Sequence, residues 1–278
     1  MGNFSLYYCA PNMEYIDEAR EIKIDYRPTD ETLEEFITMD TDRMVTINLS
    51  SKDFLTSLEQ MNFFKSLKQK NIKNYILMFP LEWILTKDKK VDNIKFAAIK
   101  DCATNYCFSD AIGNWEILQF VLSLGVSDVI ITDMLGFNME RVRAVCGNTR
   151  IRATVNIAQS AWVDSIDVTK FFIRPEDIPF YDKYIDVFEF QGDKNHQEIL
   201  YKVYSKQKYW YGDLREIIVG LNTEVDSRRL VSIFGEVRAN CGKRCITGKN
   251  CQICKRSIET IKTLEKANLA IDPITREN

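Results

Sequence analysis

The chain has 278 residues, 45% hydrophobic and 28% charged, with 37 basic against 40 acidic side chains and a formal charge of −3. Those proportions exclude intrinsic disorder, collagen-like repeats and a coiled-coil rod, and they supply a core large enough to need no disulfides. A single histidine, His196, excludes chemistry that needs two imidazoles, such as a His-rich zinc hydrolase or a two-His iron site.

From the N-terminus, Met1 to Cys9 has no basic region and too short an apolar stretch for a signal peptide. Leu6 stands where myristoylation wants Ser or Thr. No run approaches the ~20 apolar residues of a membrane span. The expectation is a cytoplasmic protein with no membrane partner, whose eight cysteines are thiols or metal ligands rather than disulfides.

Strands are predicted at Ile22–Tyr26, Met44–Leu49, Asn74–Phe79, Lys95–Lys100, Asp128–Thr132, Arg150–Asn156, Lys170–Ile173 and Asp186–Phe190, rich in Val, Ile, Phe and Tyr. Helical spacing falls between them at Thr32–Met39, Phe54–Lys70, Trp115–Leu124, Met139–Cys146 and Gln197–Lys206, with Gly125 as a helix stop. Ile217–Leu221 is a ninth strand candidate. Alternating strands and helices imply parallel pairing through right-handed crossovers. The expected fold is α/β: a (β/α)8 TIM-like barrel over residues 1–222, with a cysteine-rich metal-binding extension over 223–278 packed on it. A doubly wound open sheet is the alternative.

In such a barrel, reacting groups project from the C-terminal ends of the strands. Asp133, Asn156, Arg174 and Glu189 occupy such positions and are the candidate catalytic residues. Asp133 and Glu189 suit an acid–base pair, and Arg174 an anion clamp. Ordinary strand-end polarity and ion pairing is the competing reading of each.

The most specific motif is Cys241-Gly-Lys-Arg-Cys245-Ile-Thr-Gly-Lys-Asn-Cys251-Gln-Ile-Cys254, four thiols within fourteen residues. Four thiolates suit a [4Fe–4S] cluster or a tetrahedral zinc, and the compact spacing tilts toward iron–sulfur. Arg238, Lys243, Arg244, Lys249, Lys255 and Arg256 surround the motif, with no acidic residue from Val237 to Ser257. These cations either support the thiolates or contact RNA phosphates; nothing points to DNA. Cys9 and Cys146 read as small buried hydrophobes, and Cys102 with Cys107 as thiols of open role.

Four later segments resemble the barrel family known as peptidase U32, which includes tRNA- and ubiquinone-hydroxylating members. They are Gly125-Val-Ser-Asp-Val-Ile-Ile-Thr-Asp133, Arg152-Ala-Thr-Val-Asn-Ile-Ala-Gln159, Phe172-Ile-Arg-Pro-Glu176-Asp-Ile and Phe188-Glu-Phe-Gln-Gly192. The resemblance implies a barrel and, by analogy, a [4Fe–4S] cluster. Two departures stand beside it. Gln191 replaces the family's histidine, and the family's cluster cysteines are spread through the later barrel rather than gathered in one loop.

The expected function is therefore a metal-binding, iron–sulfur barrel protein of the U32-like type acting in RNA or small-molecule modification. The alternative is a non-catalytic or structural protein with a zinc-stapled C-terminal loop, phage-encoded on the hint of its Lys-, Ile- and Asn-rich composition. A peptidase is the third reading, since no nucleophile–base pair stands out.

Overall fold

The computed structural model of the chain describes residues 4–7, 21–25, 44–49, 74–84, 105–158, 171–191, 194–206, 210–221, 224–230 and 234–241, with isolated helical positions at 97, 100, 256 and 259. Among the described residues, eight strands form one sheet: β1 (Phe4–Tyr7), β2 (Glu21–Asp25), β3 (Met44–Asn48), β4 (Tyr75–Phe79), β5 (Tyr106–Phe108), β6 (Asp128–Ile131), β7 (Arg150–Thr154) and β8 (Val187–Glu189). Their order is β5-β4-β3-β2-β1-β8-β7-β6, and every ladder is parallel. Among the described residues, the α-helices described end to end are α1 (Trp115–Ser123), α2 (Asp133–Gly136), α3 (Met139–Cys146), α4 (Ile178–Tyr181), α5 (Lys194–Ser205) and α6 (Phe234–Ala239). The mixed α/β architecture with a parallel sheet is the one expected.

Side chains alternate across a strand, so each strand serves two environments. One face carries Phe4, Ile22, Val45, Ile47, Leu77, Phe79, Val129, Ile131, Ile151 and Phe188, which join the main hydrophobic core. That core includes helix residues such as Leu118, Val121, Met139, Val142 and Leu200. The opposite face is divided. Ile76, Met78, Cys107 and Ile130 form a small separate apolar cluster with Met44 against it. Glu21, Lys23, Thr46, Asp128, Arg152 and Glu189, all buried, supply the rest.

Local signals fix the ends of several elements. Asn114 caps α1, its side-chain oxygen accepting from Ile117 N at 3.0 Å. Gly125 follows the helix at φ +80°, the left-handed backbone that suits a helix stop. The Tyr106 hydroxyl donates to Leu124 O and so ties that helix end to β5.

Three predicted strands are corrected. Ala97 and Lys100, the described residues of the predicted strand Lys95–Lys100, are helical; alanine favours helix. Phe171–Ile173 joins no ladder, because β7 and β8 pair directly and leave no position between them. Ile173 N only reaches Val155 O, at 3.1 Å, and Pro175 then opens a 3₁₀ turn. Ile217–Leu221 contributes an isolated bridge, Val219 to Ile157, after the 3₁₀ turn Leu214–Glu216. The vacated positions belong to β1 and β5, neither of which the sequence pattern singled out. The helices expected at Thr32–Met39 and Phe54–Lys70 lie outside the described residues.

The segment beyond residue 222 is joined to what precedes it. Leu214 N donates to Val225 O at 2.8 Å, Ser227 bonds the Arg174 region, and Phe234 enters the main core. No described helix is long and apolar enough to cross a membrane.

Candidate functional site

The charged face of the sheet is built by alternation in two strands. Glu21-Ile-Lys-Ile-Asp25 places Glu21 and Lys23 on one side, and Arg150-Ile-Arg-Ala-Thr154 places Arg150 and Arg152 there. Arg152 is the hub. Its Nε donates to Asp128 Oδ1 at 2.8 Å, its Nη1 to Glu189 Oε1 at 2.9 Å, and its Nη2 to Glu21 Oε1 and, at 3.1 Å, to Thr46 Oγ1. Thr46 in turn donates to Glu21 Oε1 at 2.7 Å. Lys23 Nζ meets Glu189 Oε2 at 3.3 Å. Arg150 donates from Nε and Nη2 to Asp128 Oδ1, at 2.9 and 2.7 Å, and from Nη2 to Glu21 Oε2 at 3.0 Å.

These partners come from β2, β3, β6, β7 and β8. In the sheet order β3 and β7 are four positions apart, about 19 Å if the sheet were flat. The Arg152–Thr46 bond therefore requires a strongly curled sheet with this face inside.

Burial by itself disfavours the Arg152 cation, but Glu21, Asp128 and Glu189 outweigh it and hold its pKa well above the usual arginine value. For Glu189, burial pushes the carboxyl up, yet Lys23 and Arg152 prevail and leave it below the ordinary carboxylate value. The Cys107 thiol, on the same face, is pushed up by burial and is a neutral group. Chemically this is a compensated set of ion pairs: the carboxylate of Glu189 is already committed to two cations.

A second polar cluster surrounds Arg174. Its Nε and Nη2 form a fork onto Asp177 at 2.6 and 2.7 Å, its Nη1 lies 3.1 Å from Glu176 Oε1, and Ser227 donates to that same Glu176 oxygen. Burial pushes the Glu176 carboxyl above its ordinary value in spite of Arg174 and Ser227. Gly235 packs against Asp177 so closely that a Cβ there would collide with the carboxylate. Beside it, Arg238 lies over the rings of Phe172, Phe234 and Phe137 at 4.4, 4.8 and 4.7 Å, and donates to Phe172 O at 3.3 Å. Arg238 is 1% exposed, so of the two roles open to the cations around the cysteines it does not take the solvent-facing one.

The four candidate catalytic residues hold different stations. Glu189 belongs to the charged face. Arg174 belongs to the second cluster, held by Asp177. Asn156 is buried and spans Gln191, donating from Nδ2 to its carbonyl and accepting from its amide at Oδ1, both at 2.8 Å. Asp133 opens α2 directly after β6, and its side chain lies outside the described residues. Glu21, Lys23, Thr46, Asp128, Arg150 and Arg152 were not singled out from sequence. Their signal was charge alternating with Ile and Ala inside strands of a parallel fold, where both faces are buried.

Of the four clustered cysteines, Cys241 is described: its amide bonds Arg238 O at 3.1 Å and it packs on the main core. Cys245, Cys251 and Cys254 lie outside the described residues, as do Cys9 and Cys102. Cys146 is a buried thiol, pushed up to about 11 chiefly by burial.

No family model matches the chain. No curated protein matches it either. Among solved structures it is similar to one described as a U32 peptidase, at 13% identity and a TM-score of 0.41, over 69% of this chain and 94% of that one.

Proposed function

We propose that the chain is a closed (β/α)8-type barrel protein carrying a metal centre on Cys241, Cys245, Cys251 and Cys254, with a [4Fe–4S] cluster as first choice and zinc as second. Closure is supported at the sheet's two edge strands. Ser127 N, just before β6, donates to Tyr106 O of β5 at 2.9 Å, and Ile112 exchanges bonds with Ile130 O and Thr132 N at 2.8 and 2.9 Å. The observation that carries the metal centre is the seat of Cys241. The first of four cysteines spaced for one centre leaves a packed helix end, so the loop starts from a fixed point.

The activity we attach to this centre is modification of RNA or of a small molecule. Its support is the basic sequence around the cysteines, Lys243, Arg244, Lys249, Lys255 and Arg256. A specific observation favours a second reading, a scaffold with a zinc staple: Glu189 and Arg174 are both occupied by ion pairs.

Iron, sulfide and zinc analysis of anaerobically purified protein tests the centre. About four iron and four sulfide per chain are expected for the cluster, with absorbance in the charge-transfer region. Stoichiometric zinc selects the staple, and a metal-free chain removes both readings. Serine at any one of the four cysteines should deplete the metal, whereas Cys146→Ser should leave it in place. Full occupancy in two of the four variants would break the single-centre proposal.

A further inference from the structure

Tyr181 ends α4, which packs against α6, the helix that leads to Cys241. Its ring lies edge-on to Phe171, with centroids 6.1 Å apart, and the residue is 1% exposed. Its hydroxyl is buried and, among the described residues, has no hydrogen-bond partner. Tyr204 is equally withdrawn from water, yet its hydroxyl donates to Ile173 O at 2.8 Å. A buried hydroxyl left unmet is costly, and native structures almost always supply the partner.

The surroundings limit what that partner is. Burial pushes the hydroxyl's pKa well up, so it stays a donor in need of an acceptor; the charged groups that bear on it are Arg238, Asp177, Arg174 and Cys241. Arginines only donate. Both Asp177 oxygens already accept from Arg174, at 2.6 and 2.7 Å. The Cys241 sulfur is the remaining candidate, and its backbone is held by the 3.1 Å bond from its amide to Arg238 O. A neutral thiol accepts weakly, whereas a metal-bound thiolate carries negative charge, and a charged acceptor roughly doubles the strength of a hydrogen bond.

We propose that Tyr181 is a positioning residue of the metal centre, its O–H donating to the Cys241 sulfur when that sulfur is a metal-bound thiolate. This rests on the reading of Cys241 as a ligand of the centre. A donor on a ligating atom orients it and offsets part of its charge, so the centre is held more tightly than by its ligands alone.

Zinc titrated into the metal-free full chain, in competition with a chelator, tests the assignment, since four thiolates take zinc whichever metal they hold in the cell. Tyr181→Phe keeps the ring on Phe171 and should weaken zinc by about 10–100-fold, the usual effect of losing a group that orients a ligand. The metal-free variant should unfold no earlier than the unaltered chain, because no hydrogen bond is lost there. Tyr204→Phe should behave in the opposite way, with lower stability in both states and unchanged zinc affinity. If Tyr181→Phe fails to fold, the Tyr181 hydroxyl proton of the unaltered chain decides: its resonance should move on zinc loading and stay put in Cys241→Ser. Undiminished zinc affinity in Tyr181→Phe, or a hydroxyl proton indifferent to zinc, overturns the inference and leaves the centre standing. An unaltered chain that neither retains metal on purification nor takes up zinc removes the centre, and the inference with it.

Discussion

Arg152 and Arg238 are withdrawn from water to the same degree, at 0% and 1% exposure, yet they are accommodated by different chemistry. Arg152 is met by three carboxylates and a hydroxyl from β2, β3, β6 and β8. Arg238 lies among three aromatic rings, one of them on its own helix. The first arrangement exists only when distant strands have assembled; the second is nearly a packing contact with a charge inside it. Removing one member of the first leaves charges stranded, while removing the second leaves rings that can still close on an apolar side chain.

The largest expected effect follows from that asymmetry. Arg152→Met takes the shared cation from Glu21, Asp128 and Glu189 and leaves these three buried carboxylates to Arg150 and Lys23, and breaking a buried pair in this way costs about 3–5 kcal/mol. Urea denaturation should show a loss of that size or a chain that no longer folds; a loss near that of Arg238→Met would erase the distinction. Arg238→Met keeps the packing against the rings; the loss of cation–π attraction there is on the order of 2 kcal/mol, with the hydrogen bond to Phe172 O lost beside it. The same denaturation series measures it.

The smallest effect concerns acid pH and has opposite signs in the two clusters. The Glu189 carboxyl sits below its ordinary value in the folded chain, so its contribution is present above the unfolded pKa and is lost as pH falls through the folded one. Glu176 sits above its ordinary value, so the folded state gains from its protonation and stability falls as pH rises from the unfolded toward the folded pKa. Glu189→Gln should therefore flatten the acid-side loss of stability, and Glu176→Gln should steepen it. Unfolding midpoints measured from about pH 3 to 7 read both slopes, and slopes of one sign in the two variants would contradict the assignment.

What the sequence disclosed follows the same division. β4, Tyr-Ile-Leu-Met-Phe, and β6, Asp-Val-Ile-Ile, are apolar enough to stand out, and α3 falls on its expected residues. β1 and β5 escaped because four and three residues are too few to show a period. At Lys95–Lys100 the described residues Ala97 and Lys100 are helical, since a short apolar run is ambiguous between helix and strand. The charged face went unread for a different reason. Glu-Ile-Lys-Ile-Asp has the pattern of a strand with one wet side, and only its partners on β7 and β8 reveal that the polar side is dry. Arg174 and Glu189 were recognised as strand-end groups, but what each one faces depends on contacts more than thirty residues away or on an immediate neighbour such as Asp177. The cysteine motif was visible from spacing alone, and the seat of Cys241 adds where it begins.

The cancellation of charge on the inner face also bears on how such a chain can change over time. No one of Glu21, Lys23, Asp128, Arg150, Arg152 and Glu189 can alter its sign without exposing another, so accepted replacements at these positions should arrive in compensating pairs. In a collection of diverged descendants, those six columns would vary together or hardly at all, while Met44, Ile76 and Met78 beside them drift freely among apolar residues. A lineage that converted the whole set to Leu, Met and Val at once would lose little stability, yet it has no path of single steps to get there.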